Sequence, residues 1–147
     1  MLRVSRMAGI RVLLFITITT LLAACGDPVK EAKTAALLRE RFEMTLMRLE
    51  TTGEVPGLRH RHVTVDADSD VDGFAVKIYD MKLGTPEIGF QAFKTMTFSL
   101  SRNGDETHFL ASHFKLSPPP VANGPKASAE TLIEQLKHET ATIQVSD

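Results

Sequence analysis

The chain is poor in the residues that most often announce chemistry. It has one cysteine, one tyrosine and no tryptophan, and aromatic residues make up 6% of it. A single thiol excludes an intramolecular disulfide and leaves no second cysteine for a structural zinc site. Neither charge sign dominates: 17 Lys and Arg stand against 18 Asp and Glu. No basic face recommends a nucleic-acid partner. There is no G-x-S-x-G, no H-E-x-x-H and no glycine-rich phosphate loop, so the familiar signatures of hydrolases, metalloproteases and nucleotide enzymes are missing. The chain reads as a non-enzyme, and no cofactor is expected. Long apolar runs are also lacking. Val12 to Leu22, interrupted by Thr17, Thr19 and Thr20, would span about 16 Å as a helix, roughly half of the ~30 Å hydrocarbon core of a bilayer.

What is present at the start is a pattern of export. Arg3, Arg6 and Arg11 precede the apolar run with no acidic residue among them, which is the order of a basic region followed by a hydrophobic region in a signal peptide. The run closes on Leu22-Ala23-Ala24-Cys25-Gly26. This segment resembles the lipobox of bacterial lipoproteins, with Leu at −3, small residues at −2 and −1, and then the cysteine that receives the lipid. The resemblance implies that residues 1–24 are removed, that the Cys25 sulfur carries a diacylglycerol, and that its amine is acylated in turn. Two or three acyl chains hold a protein on a bilayer essentially permanently, at ~0.8 kcal/mol per buried CH₂. The expected partner is therefore a membrane, reached through Cys25. Asp directly after the cysteine marks inner-membrane retention in the lipoproteins this leader resembles. Here that place is Gly26, and the acid follows at Asp27. The resemblance thus favours the outer membrane, facing the periplasm.

Cys25 to Asp147 comprises 123 residues, enough for a single periplasmic α+β domain. Losing the three leader arginines lowers the basic count to 14 against 18 acids. Asp27-Pro28 suits a helix entry, and Ala35, Leu38, Phe42, Leu46 and Leu49 recur at spacings of three and four. This predicts an amphipathic helix over 29–51, stopped by Gly53 and by Pro56-Gly57. From 58 to 116 the period changes to two. Val63 and Val65, then Phe74, Val76 and Ile78, then Met96, Phe98 and Leu100, then Leu110, Phe114 and Leu116 mark four strands of an antiparallel sheet. Residues 117–127, rich in proline, read as a stiff link. A short helix capped by Ser128 follows, and Thr140 to Val145 suits a fifth strand. The expected fold is α+β, with the N-terminal helix packed on a four- to five-stranded antiparallel sheet made of two similar β-hairpins and with a short C-terminal helix.

An offset of 33 residues superposes Thr64 on Thr97, Asp72 on Asp105, Lys82 on Lys115, Leu83 on Leu116 and Pro86 on Pro119. Each copy reads strand, polar acidic turn, strand, proline exit, which leaves a true repeat open.

Three groups of residues bear on function. Asp68, Asp70, Asp72 and Gly73, preceded by Asp66, match the opening of a calcium loop, in which alternate carboxylates converge on one ion. The twelfth loop position, where such loops need a bidentate glutamate, is Tyr79, and a plain acidic hairpin turn is the competing reading. His60 and His62 lie two apart on a predicted strand and would share a face. His108 and His113 would not, unless a bulge intervenes. Ile88, Phe90 and Phe93 fall between the two copies, where an exposed apolar loop would offer an interaction surface. Phe74, Phe90, Phe93, Phe98, Phe109, Phe114, Met81 and Met96 read as core packing, or else as the lining of a cavity for a hydrophobic ligand. The function expected first is a membrane-anchored accessory or binding module of the cell envelope, acting on another envelope protein or a hydrophobic molecule. The alternatives are a periplasmic lipid carrier and a calcium-dependent stabilising or adhesion element.

Overall fold

A computed structural model of the chain describes residues 28–103 and 108–144. The leader, Cys25 and the Asp27 cap lie outside the described residues, as do Gly104, Asp105 and Val145. From the N-terminus the elements are helix α1 (Pro28–Thr52), strand β1 (His62–Asp68), a single 3₁₀ turn (Ser69–Val71), and strands β2 (Gly73–Thr85), β3 (Gly89–Asn103) and β4 (His108–Ser117). Helix α2 (Gly124–Thr142) follows. All four strands form one antiparallel sheet in the order β1-β2-β3-β4. The architecture is α+β, and from Thr34 onward the chain forms one compact unit.

α1 extends the predicted helix by one residue at each end. Leu38, Phe42, Leu46 and Leu49 are its buried positions, with Thr34 and Thr45 beside them. Fully burying four such apolar side chains contributes roughly 6–12 kcal/mol. Intrinsic propensities differ by less than about 1 kcal/mol per residue, so packing rather than propensity holds the helix. Its end is set by Gly53, which at φ 73° turns left-handed and donates its N–H to the Leu49 carbonyl.

The sheet buries Val63 and Val65 of β1, Phe74, Val76 and Ile78 of β2, and Met96, Phe98 and Leu100 of β3. Phe42 of α1 meets Phe98 edge to face at 5.5 Å, and Phe98 stacks on Phe114 of β4 at 4.7 Å. Lys137 of α2 stands over the Phe114 ring, and Glu139 of α2 pairs with Arg41 of α1 at 2.7 Å. Both helices therefore lie over the Phe98 and Phe114 side of the sheet. Along β2 burial passes from Ile78 to Met81, and along β3 from Met96 to Phe93. The inward parity thus reverses at the same level in both strands without loss of register. Asp80, left-handed at φ 51°, sits at that reversal.

The two hairpins share their plan but differ in register. Val63 and Met96, 33 residues apart, both face Ile78 from either side. A duplicated geometry would next place Met96 opposite Ala111, yet Met96 pairs with Leu116. Pairing of β3 with β4 ends at Asn103 and His108, two residues further along the chain than Asp68 and Gly73 would place it, and a bulge in β4, where His113 has φ 59°, adds one residue more; together they account for the shift. The echo is one of amphipathic pattern and does not extend to pairing.

The C-terminal segment differs most from its reading. α2 starts at Gly124 inside the presumed link 117–127, because Pro125 in the first helical turn loses no hydrogen bond there. Ser128 is consequently buried within the helix, and its hydroxyl has no hydrogen-bond partner among the described residues. The helix also runs through Thr142, with the Thr140 hydroxyl bonded to the Leu136 carbonyl at 2.7 Å. In place of a fifth strand over 140–145, Gln144 makes one isolated bridge to His108.

Candidate functional site

The β2-β3 turn and the proline-rich link meet to form the most exposed apolar feature of the sheet. Gly84 and Gly89, both with positive φ, frame the turn, and the Ile88 N–H donates to Thr85 Oγ1 at 3.4 Å. A Cβ at Gly84 would lie 2.0 Å from the Gly89 carbonyl oxygen, so the two strands leave this turn at close approach. Gln91 then ties the turn to the link with both ends of its amide. Its Nε2 donates to the Pro119 carbonyl at 3.0 Å, and its Oε1 accepts from the Val121 N–H at 2.8 Å. On the scaffold so made, Ile88, Phe90 and Val121 are 43%, 67% and 56% exposed.

Phe93 does not belong to this surface. It is 2% exposed, because β3 begins at Gly89 and makes 89–93 a strand instead of a loop. Phe93 pairs with Met81, which is likewise fully buried. Val121 and Gln91 complete the tip, and neither was legible as a site residue, since their proximity depends on the link folding back across β3. Replacing Gln91 by Ala is expected to cost about 1 kcal/mol and to speed amide exchange at Val121 at least about tenfold, as read by hydrogen exchange.

The four aspartates are spread along the β1-β2 connection. Asp68 caps the 3₁₀ turn by accepting the Asp70 N–H at 3.1 Å. Asp72 is left-handed and accepts from Arg102 Nη1 at 3.4 Å. Arg102 in turn lies over the Phe74 and Phe109 rings at 5.5 and 5.8 Å. Asp66 is an exposed strand residue facing Ala75. Among the described residues no group of three or more His, Cys, Asp or Glu side chains is placed to hold a metal ion.

His60 and His62 do not act as a pair. β1 begins at His62, whose ring stacks on Tyr79 at 4.4 Å. His60 precedes the strand and turns inward beneath α1, where its side chain is only 4% exposed. There Nε2 meets Glu43 Oε2 at 2.6 Å and Nδ1 meets Glu50 Oε1 at 2.7 Å. The same two carboxylates accept the backbone N–H groups of Val63 and His60, each at 2.8 Å. An imidazole engaged by carboxylates at both nitrogens is a donor at both, hence an imidazolium. Burial, the largest single influence, pushes its pKa down. Hydrogen bonds and charge from Glu43 and then Glu50 outweigh that effect and hold it above the ordinary 6.5. The only sequence trace of this clasp is that Glu43 and Glu50 lie two helical turns apart.

Of the residues considered for a ligand cavity, Phe74, Phe93, Phe98, Phe109, Met81 and Met96 are buried in the core, Phe114 packs against it, and Phe90 is exposed. A separate open groove of about 310 Å³ lies between α1 and the end of α2, lined by Leu37, Leu38, Met44 and Ile143 among others. No described helix is long and apolar enough to cross a membrane. Comparison with protein-family models, with curated proteins and with solved structures produced no match.

Proposed function

We propose that the protein is a lipoprotein of the cell envelope, anchored through Cys25 on the periplasmic side with the outer membrane favoured, and acting as a non-enzymatic binding module. Its partner is another envelope protein, met through Ile88, Phe90 and Val121. The anchor rests on the leader pattern, Leu22-Ala23-Ala24-Cys25. The observation that carries the binding role is Phe90, 67% exposed on a backbone that Gln91 fastens to the neighbouring link. An aromatic side chain presented on a pre-organised strand loses little freedom on docking, which is how interface hot spots gain their effect.

Palmitate labelling in cells tests the first part: incorporation is expected in the full chain and none in Cys25→Ala. For the second, a photo-crosslinking residue at position 90 is expected to trap a discrete complex that the same residue at Leu110, on the outer face of β4, does not. Phe90→Asp should then weaken the isolated complex at least about thirtyfold, with an unchanged Tm. Equal trapping from both positions removes Phe90 from the interface.

A further inference from the structure

One face of α1 turns away from the core and carries its own apolar stripe. Leu37, Met44 and Met47 are 61%, 61% and 59% exposed, although each is large enough to have been buried had the fold offered a place. Leu37, Arg41, Met44 and Arg48 follow one another at spacings of four, three and four, and Leu37, Glu40, Met44 and Met47 at three, four and three, so the apolar side chains share one helical face with a single exposed acid and are bordered on one side by the two arginines. Arg41 and Arg48 are half exposed, and they lean toward α2 to pair with Glu139 at 2.7 and 3.8 Å. Their aliphatic stems thereby flank the stripe while their charged ends lie to its side, an arrangement suited to the boundary between acyl chains and water. Beside Leu37 and Met44 opens the groove of about 310 Å³, whose lining also includes Glu40, Arg41 and Ile143.

We infer that this face of α1 lies against the surface of the bilayer in which Cys25 is anchored. The inference rests on the lipid anchor proposed above and adds the orientation of the domain on the membrane. Only eight residues separate Cys25 from Thr34, and even fully extended the nine steps between the two reach about 30 Å. The anchor therefore keeps the stripe close to the bilayer at all times. At that effective concentration a weak interfacial contact suffices, and three exposed apolar side chains supply it where they would not bind a free protein to a membrane. A long tether would remove this advantage, and the chain has none.

The test uses the full chain, processed and reconstituted into vesicles of phosphatidylethanolamine and phosphatidylglycerol with brominated acyl chains. Cys25 is the only native cysteine, and once lipidated it does not react, so Leu37→Cys, Met44→Cys and Leu110→Cys can each carry one fluorophore. Leu110 is 57% exposed on β4 and serves as the reference. Quenching at 37 and 44 is expected to exceed that at 110 by at least about threefold. The double substitution Met44→Glu and Met47→Glu, at exposed positions that leave the core intact, should bring position 37 down to the reference with palmitate content unchanged. Equal quenching at all three positions in protein that carries palmitate overturns the inference and leaves the anchor standing. Absence of palmitate, with the protein released to the soluble fraction, overturns both. Disulfide formation between Met44→Cys copies in place of lipid quenching would assign the face to a second copy and overturn it as well.

Discussion

His60→Ala is expected to destabilise the protein by about 3 kcal/mol at mildly acidic pH and to abolish a loss of stability that the native protein shows as pH rises. Removing the ring leaves Glu43 and Glu50, whose side chains are 26% and 19% exposed, without the cation they share, so the cost includes two half-buried carboxylates without their cation as well as two lost hydrogen bonds. The sign of the pH dependence follows from the direction of the shift. The folded-state pKa lies above the ordinary 6.5, so folding takes up protons at this site. The stabilisation is complete below the unfolded pKa and is lost as pH rises from 6.5 through the folded pKa. Urea unfolding of both proteins at a series of pH values between about 5 and 9 checks this. The native curve should fall relative to His60→Ala across that window, and parallel curves would mean that His60 is neutral in the clasp. The effect concerns more than one pair, because the same carboxylates hold the backbone entering β1, and their displacement frees α1 from the edge of the sheet.

The second large effect belongs to Gly57. At φ 71° it occupies the left-handed region, and a Cβ there would lie 1.7 Å from the Gly84 carbonyl oxygen. That backbone is itself tied down by the Gly84 N–H bond to the Pro56 carbonyl at 2.8 Å. Neither side can yield cheaply, since both are main chain. Gly57→Ala should therefore cost at least about 3 kcal/mol in urea unfolding with an unchanged m value. Gly53→Ala supplies the comparison: φ is 73°, but nothing lies within 4 Å of its Cβ. It should cost only about 1 kcal/mol, the intrinsic price of a left-handed alanine. Equal losses at the two positions would show that backbone conformation, not the crossing of the 56–57 segment over β2, sets the requirement for glycine.

Both sites illustrate why the candidate site was only partly legible. Pro56-Gly57 reads as a second stop after α1, whose end Gly53 already sets, and nothing local says that Gly57 must let β2 pass at contact distance. Likewise the sequence groups Ile88, Phe90 and Phe93 in one exposed loop, whereas Ile88 lies in the turn, Phe90 is an exposed residue of β3 and Phe93 is buried. Distinguishing them required knowing that β3 starts at Gly89 and that burial in β2 and β3 switches parity near Asp80. Alternation along one strand is a local signal. Where alternation reverses depends on the partner strand and on the layer beneath.

The elements that local chemistry controls were all present in the order of residues. Apolar spacings of three and four in Leu38, Phe42, Leu46 and Leu49 define α1, because only one helical face can be buried at once. Alternation around Val63, Phe74, Met96 and Phe114 defines four strands, because one face of the sheet meets the helices and the other meets water. What depended on the assembled chain was everything set by contacts between residues far apart. That includes the register of the second hairpin, the entry of Gly124 and Pro125 into α2, the enclosure of His60 by Glu43 and Glu50, and the fastening of Val121 to Gln91. The physical reason is the same in each case. Periodicity reports which side of an element avoids water, and it carries no information about which distant polar group will satisfy a buried nitrogen or carbonyl once the layers close.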